Sequence, residues 1–399
     1  MRILKKILRN IAEVPIYVIS LISKRDKNIW VFGAWKGNFF ADNTKYLYEY
    51  VCNNHKDIKA IWVTKNKNII KEMNIKGYEC YYFYSLKGIY YSLRSEVVFQ
   101  TEGNQDVNSF CLGRAKVIQL WHGTPLKKIG YDNDNRNKEN FLKKIIFKIL
   151  PYKEPNKSGN LYCVSSELVA NKFMSAFRTR KENIFITGQP RIDGLFKRGK
   201  NNFINNVKAQ IGNASLIIYM PTHRKFGNGK NIYTKDVLDN INLKLKEQNI
   251  YMIFKPHFHE IKNILNNNYT FTNIIIPRAE SELSDPYSFI QECDLLITDY
   301  SSIFFDFMIL DKPIVFFPYD LKEYVESDFP LYFDYTSTVP GPISYTWDEL
   351  IENIINELKY DTYKDKRNNE LRRFNKFNDN KNSYRVYKKV LQILGKERI

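Results

Sequence analysis

The run Asp294-Leu295-Leu296-Ile297-Thr298, continued by Asp299-Tyr300-Ser301-Ser302, decides how this chain folds. Its apolar part reads as a buried strand and the polar quartet after it as an elbow. An apolar helix over residues 303–310 comes next, then Lys312-Pro313 and a second buried run, Ile314-Val315-Phe316-Phe317. Continuous apolar strands on either side of a short helix make one right-handed βαβ step of a parallel, helix-covered sheet. Open α/β sheets bind ligands at the carboxyl ends of their strands, where this elbow falls. Ser301 and Ser302 can cap the helix, and its first free N–H groups can hold a phosphate. The stretch alone does not separate that reading from a plain capped helix, because serine caps are common in both.

The same rhythm extends around it. Residues 215–220 read as a strand ending in Pro221-Thr222-His223-Arg224, residues 250–254 as one ending in Lys255-Pro256-His257-Phe258-His259, and residues 273–276 as a third. Aligned carboxyl ends bring Arg224, His257 and the serine elbow to one edge. Arginine, imidazole and helix N–H groups supply the charge and the directed donors that a diphosphate needs. His257 and His259 have no nearby pattern of Cys or carboxylate, so zinc spacing is absent.

Toward the N-terminus, apolar runs at residues 30–32, 60–63, 80–84, 97–100, 117–120, 161–164 and 183–186 read as strands of a second doubly wound domain. The Gly33 to Gly37 loop lacks the third glycine of a dinucleotide fingerprint. Asp42 or Asn43 is expected to cap a helix presenting Tyr46, Leu47, Tyr50 and Val51. Trp121-His122-Gly123-Thr124-Pro125 begins where the 117–120 strand ends, which places His122 at a carboxyl end beside a glycine. An imidazole there can accept a hydroxyl proton at neutral pH; a hydrogen-bonded structural histidine fits the same spacing. Residues 138–150 form an apolar stripe edged by Lys143, Lys144 and Lys148, readable as an interfacial helix or as a core helix with snorkelling lysines.

At 399 residues the chain has room for two domains, and 44% hydrophobic with 15% aromatic residues excludes a disordered one. The 61 Lys+Arg against 43 Asp+Glu leave a net charge of +18, so the partner is anionic. Nucleic acid is disfavoured, because no basic face interleaved with exposed aromatics or known module is evident. Cys52, Cys80, Cys111, Cys163 and Cys293 are scattered and odd in number, which fits a reduced compartment without structural zinc. Residues 1–28 combine Arg2, Lys5, Lys6 and Arg9 with an apolar core too short to span a bilayer and trailed by no small-residue cleavage site. They read as a basic amphipathic segment on an anionic membrane surface, with a helix packed on the protein body as the alternative. The domains then run over residues 29–197 and 207–375, joined by a polar linker over 197–206, with residues 376–399 as a last helix.

Taken in order, Trp121 to Pro125, Gly188-Gln189-Pro190-Arg191-Ile192-Asp193, Tyr219 to Arg224, Lys255-Pro256-His257 and Ile297 to Ser302 with Phe305-Asp306-Phe307 resemble the CDP-glycerol glycerophosphotransferase family. These are the teichoic acid primases and polymerases of bacterial envelopes. Asp42-Asn43-Thr44-Lys45-Tyr46 matches the family's loop and helix. The resemblance implies a GT-B fold: two Rossmann-like α/β domains facing a cleft, the N-terminal one for acceptor and the C-terminal one for donor, with final helices crossing back toward the N-terminal domain. It implies a CDP-glycerol or CDP-ribitol donor, an undecaprenyl-diphosphate-linked acceptor and a peripheral place on the cytoplasmic face of the cell membrane. No cofactor is implied, and oligomeric state and metal dependence stay open.

By this likeness His122 is the base for the acceptor hydroxyl, while Thr222, Arg224, His257, Ser301 and Ser302 hold the diphosphate as CMP leaves; His257 would also act in catalysis. Asp299, Gly123, Thr124 and Arg191 support the site. Phe258 departs from the family's proline after the histidine. Asn380-Lys381-Asn382-Ser383-Tyr384-Arg385 lacks the glycine expected before a Ser-x-Arg, which leaves Ser383 and Arg385 without a role. A nucleotide-sugar glycosyltransferase or epimerase on the same fold is the alternative, and it would call for a carboxylate as base or acid.

Overall fold

The computed structural model describes residues 2–133, 146–154, 160–199, 201–222, 232–255, 270–277, 283, 285–327 and 330–396, with side chains from residue 11 onward. The chain forms two compact units, each discontinuous in sequence. Unit 1 holds Met1–His122, Ile129–Asp193 and Asp379–Ile399; unit 2 holds Gly123–Lys128 and Gly194–Asn378.

Unit 1 is built on strands β1 (Asp26–Phe32), β2 (Lys59–Thr64), β3 (Cys80–Tyr82), β4 (Ser95–Gln100), β5 (Lys116–Gln119), β6 (Leu161–Val164) and β7 (Ile184–Ile186), all parallel, in the order β3-β2-β1-β4-β5-β6-β7. Strand residues alternate between faces. Trp30, Phe32, Val97 and Phe99 pack on Leu47, Tyr48 and Val51 of helix Asp42–Asn54. Val31, Ile61, Val63 and Val98 form the opposite core with Val107. The last helix, Asn382–Ile393, adds Val386, Tyr387 and Val390 to the first of these cores. Burying a large side chain contributes about 1.5–3 kcal/mol, so those three anchor the chain's end firmly in unit 1.

Unit 2 repeats the plan with β8 (Ser215–Tyr219), β9 (Ile250–Phe254), β10 (Ile274–Ile275), β11 (Leu295–Thr298) and β12 (Ile314–Phe316) in the order β10-β9-β8-β11-β12. The stretch from Asp294 to Phe317 is therefore β11, elbow, helix Ile303–Phe307 with a tighter turn Met308–Leu310, and β12, paired in parallel with β11. Both sheets share the doubly wound order in which strand progression reverses beside the first strand, between β1 and β4 and between β8 and β11.

Three local expectations are corrected. The stretch read as a linker over residues 197–206 already contains the start of helix Asn202–Ile211, because Asn201 accepts the Ile204 N–H and caps it. Neither Asp42 nor Asn43 holds the N-cap of helix Asp42–Asn54; Ala41 does, with no side-chain bond, while Asp42 Oδ1 accepts the Asn43 N–H of the first turn and the Asn43 side chain is used elsewhere. Ser302 stands at the N-cap of Ile303–Phe307 with no side-chain cap bond, and only Ser301 Oγ accepts a long 3.4 Å bond from the Ile303 N–H. The expected helix over 138–150 lies, except for its last turn, outside the described residues.

Near the N-terminus, helix Arg2–Ile22 rests on the body through Ile16 and Tyr17, the latter 4.8 Å from the Tyr152 ring. Arg25 fastens the passage from this helix into β1 by donating to the carbonyls of Ser20, Ser92, Ser95 and Cys111. Ile11, Val18, Ile19 and Ile22 of the helix stay exposed. No described helix is long and apolar enough to cross a membrane.

Candidate active site

At the reversal point of the first sheet, the Asp106 carboxylate collects the loops that leave β1 and β4. It accepts the Lys36 N–H at 2.7 Å from the first loop, and the Thr101, Glu102 and Gly103 N–H groups at 2.8, 2.7 and 3.4 Å from the second. Burial pushes this carboxyl up from the ordinary carboxylate range, while the backbone N–H bonds pull the other way. A carboxylate receiving several N–H groups is held by charge-assisted bonds, about twice as strong as neutral ones.

His122 sits half-buried beyond the end of β5, and its Nδ1 lies 3.2 Å from the Thr101 carbonyl oxygen. A carbonyl only accepts, so Nδ1 carries a proton, and in the neutral imidazole Nε2 then presents the lone pair. Trp121 stacks on the imidazole at 4.4 Å and Trp35 lies 5.4 Å away. The backbone around the ring is unusual: Trp35, Lys36, Asp42 and Trp121 all have left-handed φ, at 49°, 56°, 63° and 56°. Non-glycine residues held there store strain and gather where surrounding structure over-determines them.

A clamp from sequence-distant segments supplies that over-determination. The Asn43 side-chain amide donates to the carbonyls of Leu120 and Trp121, at 3.1 and 2.8 Å, and its oxygen accepts the Arg191 N–H. Arg191 is fully buried with a guanidinium nitrogen 3.5 Å from Asp42. Asp193 then receives the N–H groups of Asn382 and Ser383, at 2.9 and 2.8 Å, and so caps the last helix. Gly188, at φ 74°, leaves room for the Asn382 side chain, which any Cβ would strike. The Gly188 to Asp193 motif thus joins the His122 loop to the chain's end.

In unit 2, Asp299 is fully buried and ties the loop after β8 to the loop after β11. It accepts the Thr222 N–H at 2.9 Å, the Thr222 hydroxyl at 2.5 Å and the Tyr300 N–H at 2.6 Å. Tyr335 Oη donates to the Asp299 carbonyl at 3.1 Å. Tyr300 donates to Asp320 at 3.0 Å and stacks 4.0 Å from Tyr324; burial first, then Asp320, push its hydroxyl well up, so it remains a donor. Ser301 and Ser302 stay half-exposed at the surface of this elbow. The strap Gly123–Lys128 belongs to unit 2, pairing through Leu126 and Lys128 with Tyr332 and Pro330. Gly123 packs so closely on Ser302 that a Cβ would run into the serine hydroxyl.

Of the residues expected from the sequence, Thr222, Asp299, Ser301, Ser302, Gly123 and Thr124 fall in unit 2, and His122 and Arg191 in unit 1. Arg224 and His257 lie outside the described residues. Thr124 is buried on the strap. Asp106, Trp35 and Tyr335 were not expected; only the placement of Asp106 among Glu102, Gly103 and Asn104, a turn-forming run after a strand, hints at its part. Among the described residues no group of three or more His, Cys, Asp or Glu side chains could share a metal ion.

Residues 16–392 match the family model described as CDP-Glycerol:Poly(glycerophosphate) glycerophosphotransferase. The chain is 27% identical over 368 residues to a teichoic acid glycerol-phosphate transferase of Staphylococcus aureus, covering 88% of this chain and 89% of that protein. It is 29% identical over 377 residues to a teichoic acid poly(glycerol phosphate) polymerase of Bacillus spizizenii, covering 89% and 90%. A solved structure of the wall teichoic acid polymerase TagF superposes with a TM-score of 0.76 at 23% identity, covering 99% of this chain and 96% of that one. The same protein soaked with CDPG gives 0.72 at 23% identity, covering 98% and 97%. The fold class is the GT-B one that the resemblance implies.

Proposed function

Because the chain belongs to the CDP-glycerol:poly(glycerophosphate) glycerophosphotransferase family, we propose that it moves glycerol phosphate or ribitol phosphate from a CDP-alditol to a hydroxyl of a lipid-linked saccharide or polyol phosphate, releasing CMP. The observation that carries this reading is the contact of His122 Nδ1 with the Thr101 carbonyl oxygen. With Nδ1 given to the Thr101 carbonyl, Nε2 is free to take the acceptor proton. The acceptor oxygen then attacks the alditol-bearing phosphorus, the bond from that phosphorus to the CMP oxygen breaks, and CMP leaves with the electron pair. Phosphoryl transfer asks mainly for positioning and for donors aimed at developing charge. Ser301, Ser302 and Thr222, with Arg224 and His257, are assigned that task, and Asp299 holds the elbow in shape without touching substrate. Arg191 and Asn43 act on His122 only through the loop they clamp.

The acceptor is taken to be undecaprenyl-diphosphate-linked, and the enzyme to sit on the cytoplasmic face of the membrane. Support for the second point is the apolar row Ile11, Val18, Ile19 and Ile22 left exposed on helix Arg2–Ile22. Replacing Val18 and Ile22 by serine is expected to weaken binding to anionic vesicles and leave the protein folded; unchanged binding rules the row out as an anchor.

The deciding experiment is a donor panel: purified protein, a saccharide acceptor, and CDP-glycerol, CDP-ribitol and UDP-sugars offered in turn. CMP release from a CDP-alditol is the expected result. Release of UDP with no CMP would overturn the reading in favour of a glycosyltransferase.

A further inference from the structure

Along the free edge of the unit 1 sheet, β7, helix Glu167–Phe177 and the last helix enclose a groove of about 490 Å³. Its floor is apolar, from Ile184, Ile186 and Met174. Its rim carries four cations, Lys181, Arg385, Lys388 and Lys389, against one carboxylate, Glu167. Arg385 is paired with Asp379. Lys389 lies over the Phe185 ring at 4.4 Å and Lys388 over Tyr384 at 5.9 Å. Aromatic contact leaves an ammonium charged, so the rim presents a positive field over an apolar bed.

The groove has a direction. Thr187 at the carboxyl end of β7, and Glu167 at the start of its helix, mark one mouth; Lys181, before β7, and Gln392, near the end of the last helix, mark the other. From Tyr384 to Gln392 the helix advances about 12 Å. The first mouth opens on the same sheet edge as His122, whose strand β5 lies two strands from β7, roughly 10 Å away at normal strand spacing. A path that starts at the functional edge, is lined by cations and leads away from it suits a long anion better than a compact one. Its concave form also suits a chain better than a bilayer surface, which meets flat or convex faces.

We propose that this groove binds a polyanionic chain, the phosphodiester-linked product of the transfer proposed above, and leads it away from the edge where His122 stands. The inference rests on that reading for the identity of the chain. It gives Arg385 a surrounding that the sequence pattern left without a role.

The test uses the full-length protein and a soluble, labelled oligo(glycerol phosphate), with binding measured by fluorescence anisotropy across a salt series. The double variant Lys388→Glu/Lys389→Glu should bind roughly tenfold more weakly, with a shallower salt dependence, since phosphate contacts by cations give both effects. Lys181→Glu, on a different segment, should act in the same direction, so a destabilised last helix cannot explain the loss. Both variants should keep first-addition CMP release and make shorter polymer. Oligomer binding equal to wild type in both variants overturns the groove, whatever the enzyme's activity. If wild type releases no CMP but oligomer binding still falls in the variants, the groove stands and the reaction assignment fails. If the variants lose binding to phosphatidylglycerol vesicles and keep the oligomer, the groove is a membrane contact and the proposal is wrong.

Discussion

Where its strand order reverses, each sheet carries one buried aspartate that joins the loop after its first strand to the loop after its fourth: Asp106 in unit 1 and Asp299 in unit 2. Around Asp106 the chain is strained, with left-handed φ at Trp35, Lys36 and Trp121. The elbow around Asp299 has no positive-φ residue among those described. In the reaction proposed above, the difference matches what each unit would present: unit 1 a single side-chain atom, His122 Nε2, beside sharply turned backbone, and unit 2 the hydroxyls of Thr222, Ser301 and Ser302.

That contrast predicts a separation of kinetic effects. His122→Ala should lower kcat by about 10²–10⁴-fold, the usual size of general-base catalysis, with donor binding little changed. Ser301→Ala with Ser302→Ala should instead raise the donor KM together with a loss in kcat, because the hydroxyls are assigned both to the bound diphosphate and to its developing charge. Steady-state kinetics with varied CDP-alditol read both. A His122→Ala enzyme with wild-type kcat, or a serine variant whose loss lies wholly in kcat, would break the division of labour.

The two aspartates can also be set against each other for stability. Among the described residues, Asp106→Ala strips an acceptor from four backbone N–H groups, and Asp299→Ala from two. A buried donor left unsatisfied costs about 1–3 kcal/mol, and partial relaxation or entering water brings the sum down to roughly 3 kcal/mol for Asp106 and roughly 2 for Asp299. Urea unfolding monitored separately in each unit, by a Trp30 signal and a Trp347 signal, checks the order. Equal losses would mean that strain in unit 1 does not depend on its brace.

How far the sequence foretold these braces depends on how far apart the partners lie. The parallel strands are legible because buried runs such as Leu295–Thr298 need no partner to be recognised. Asp299 is legible because it comes directly after its strand. Asp106 is not: one of its donors, Lys36, is 70 residues earlier, and no local pattern records that distance. Asp42 and Asn43 look like helix caps by position, yet Asn43 is taken by Leu120 and Trp121, 77 and 78 residues on. The Gly188 to Asp193 motif stands out by resemblance, but its mechanical part depends on Asn382 and Ser383, 189 and 190 residues beyond Asp193.

The smallest effect belongs to a carboxylate at the surface, and it sets the scale for the buried ones. Asp379 pairs with Arg385 just before the last helix, and the hydrogen bond from Arg385 holds its carboxyl below the ordinary range. A depressed folded-state value stabilises the fold above the unfolded value, near 3.9, and that gain is lost as pH falls through the folded value. The Asp379 side chain is 42% exposed, so solvent screening limits the pair to about 0.2–1 kcal/mol. Asp379→Asn should therefore lower the urea midpoint slightly at pH 7 and converge on wild type in acid, once the pH has fallen below the folded-state value. Asp193 holds the start of the same helix from a buried position, and its replacement by alanine should cost severalfold more at neutral pH. If the two substitutions cost the same, burial is not what gives the aspartate braces of this protein their weight.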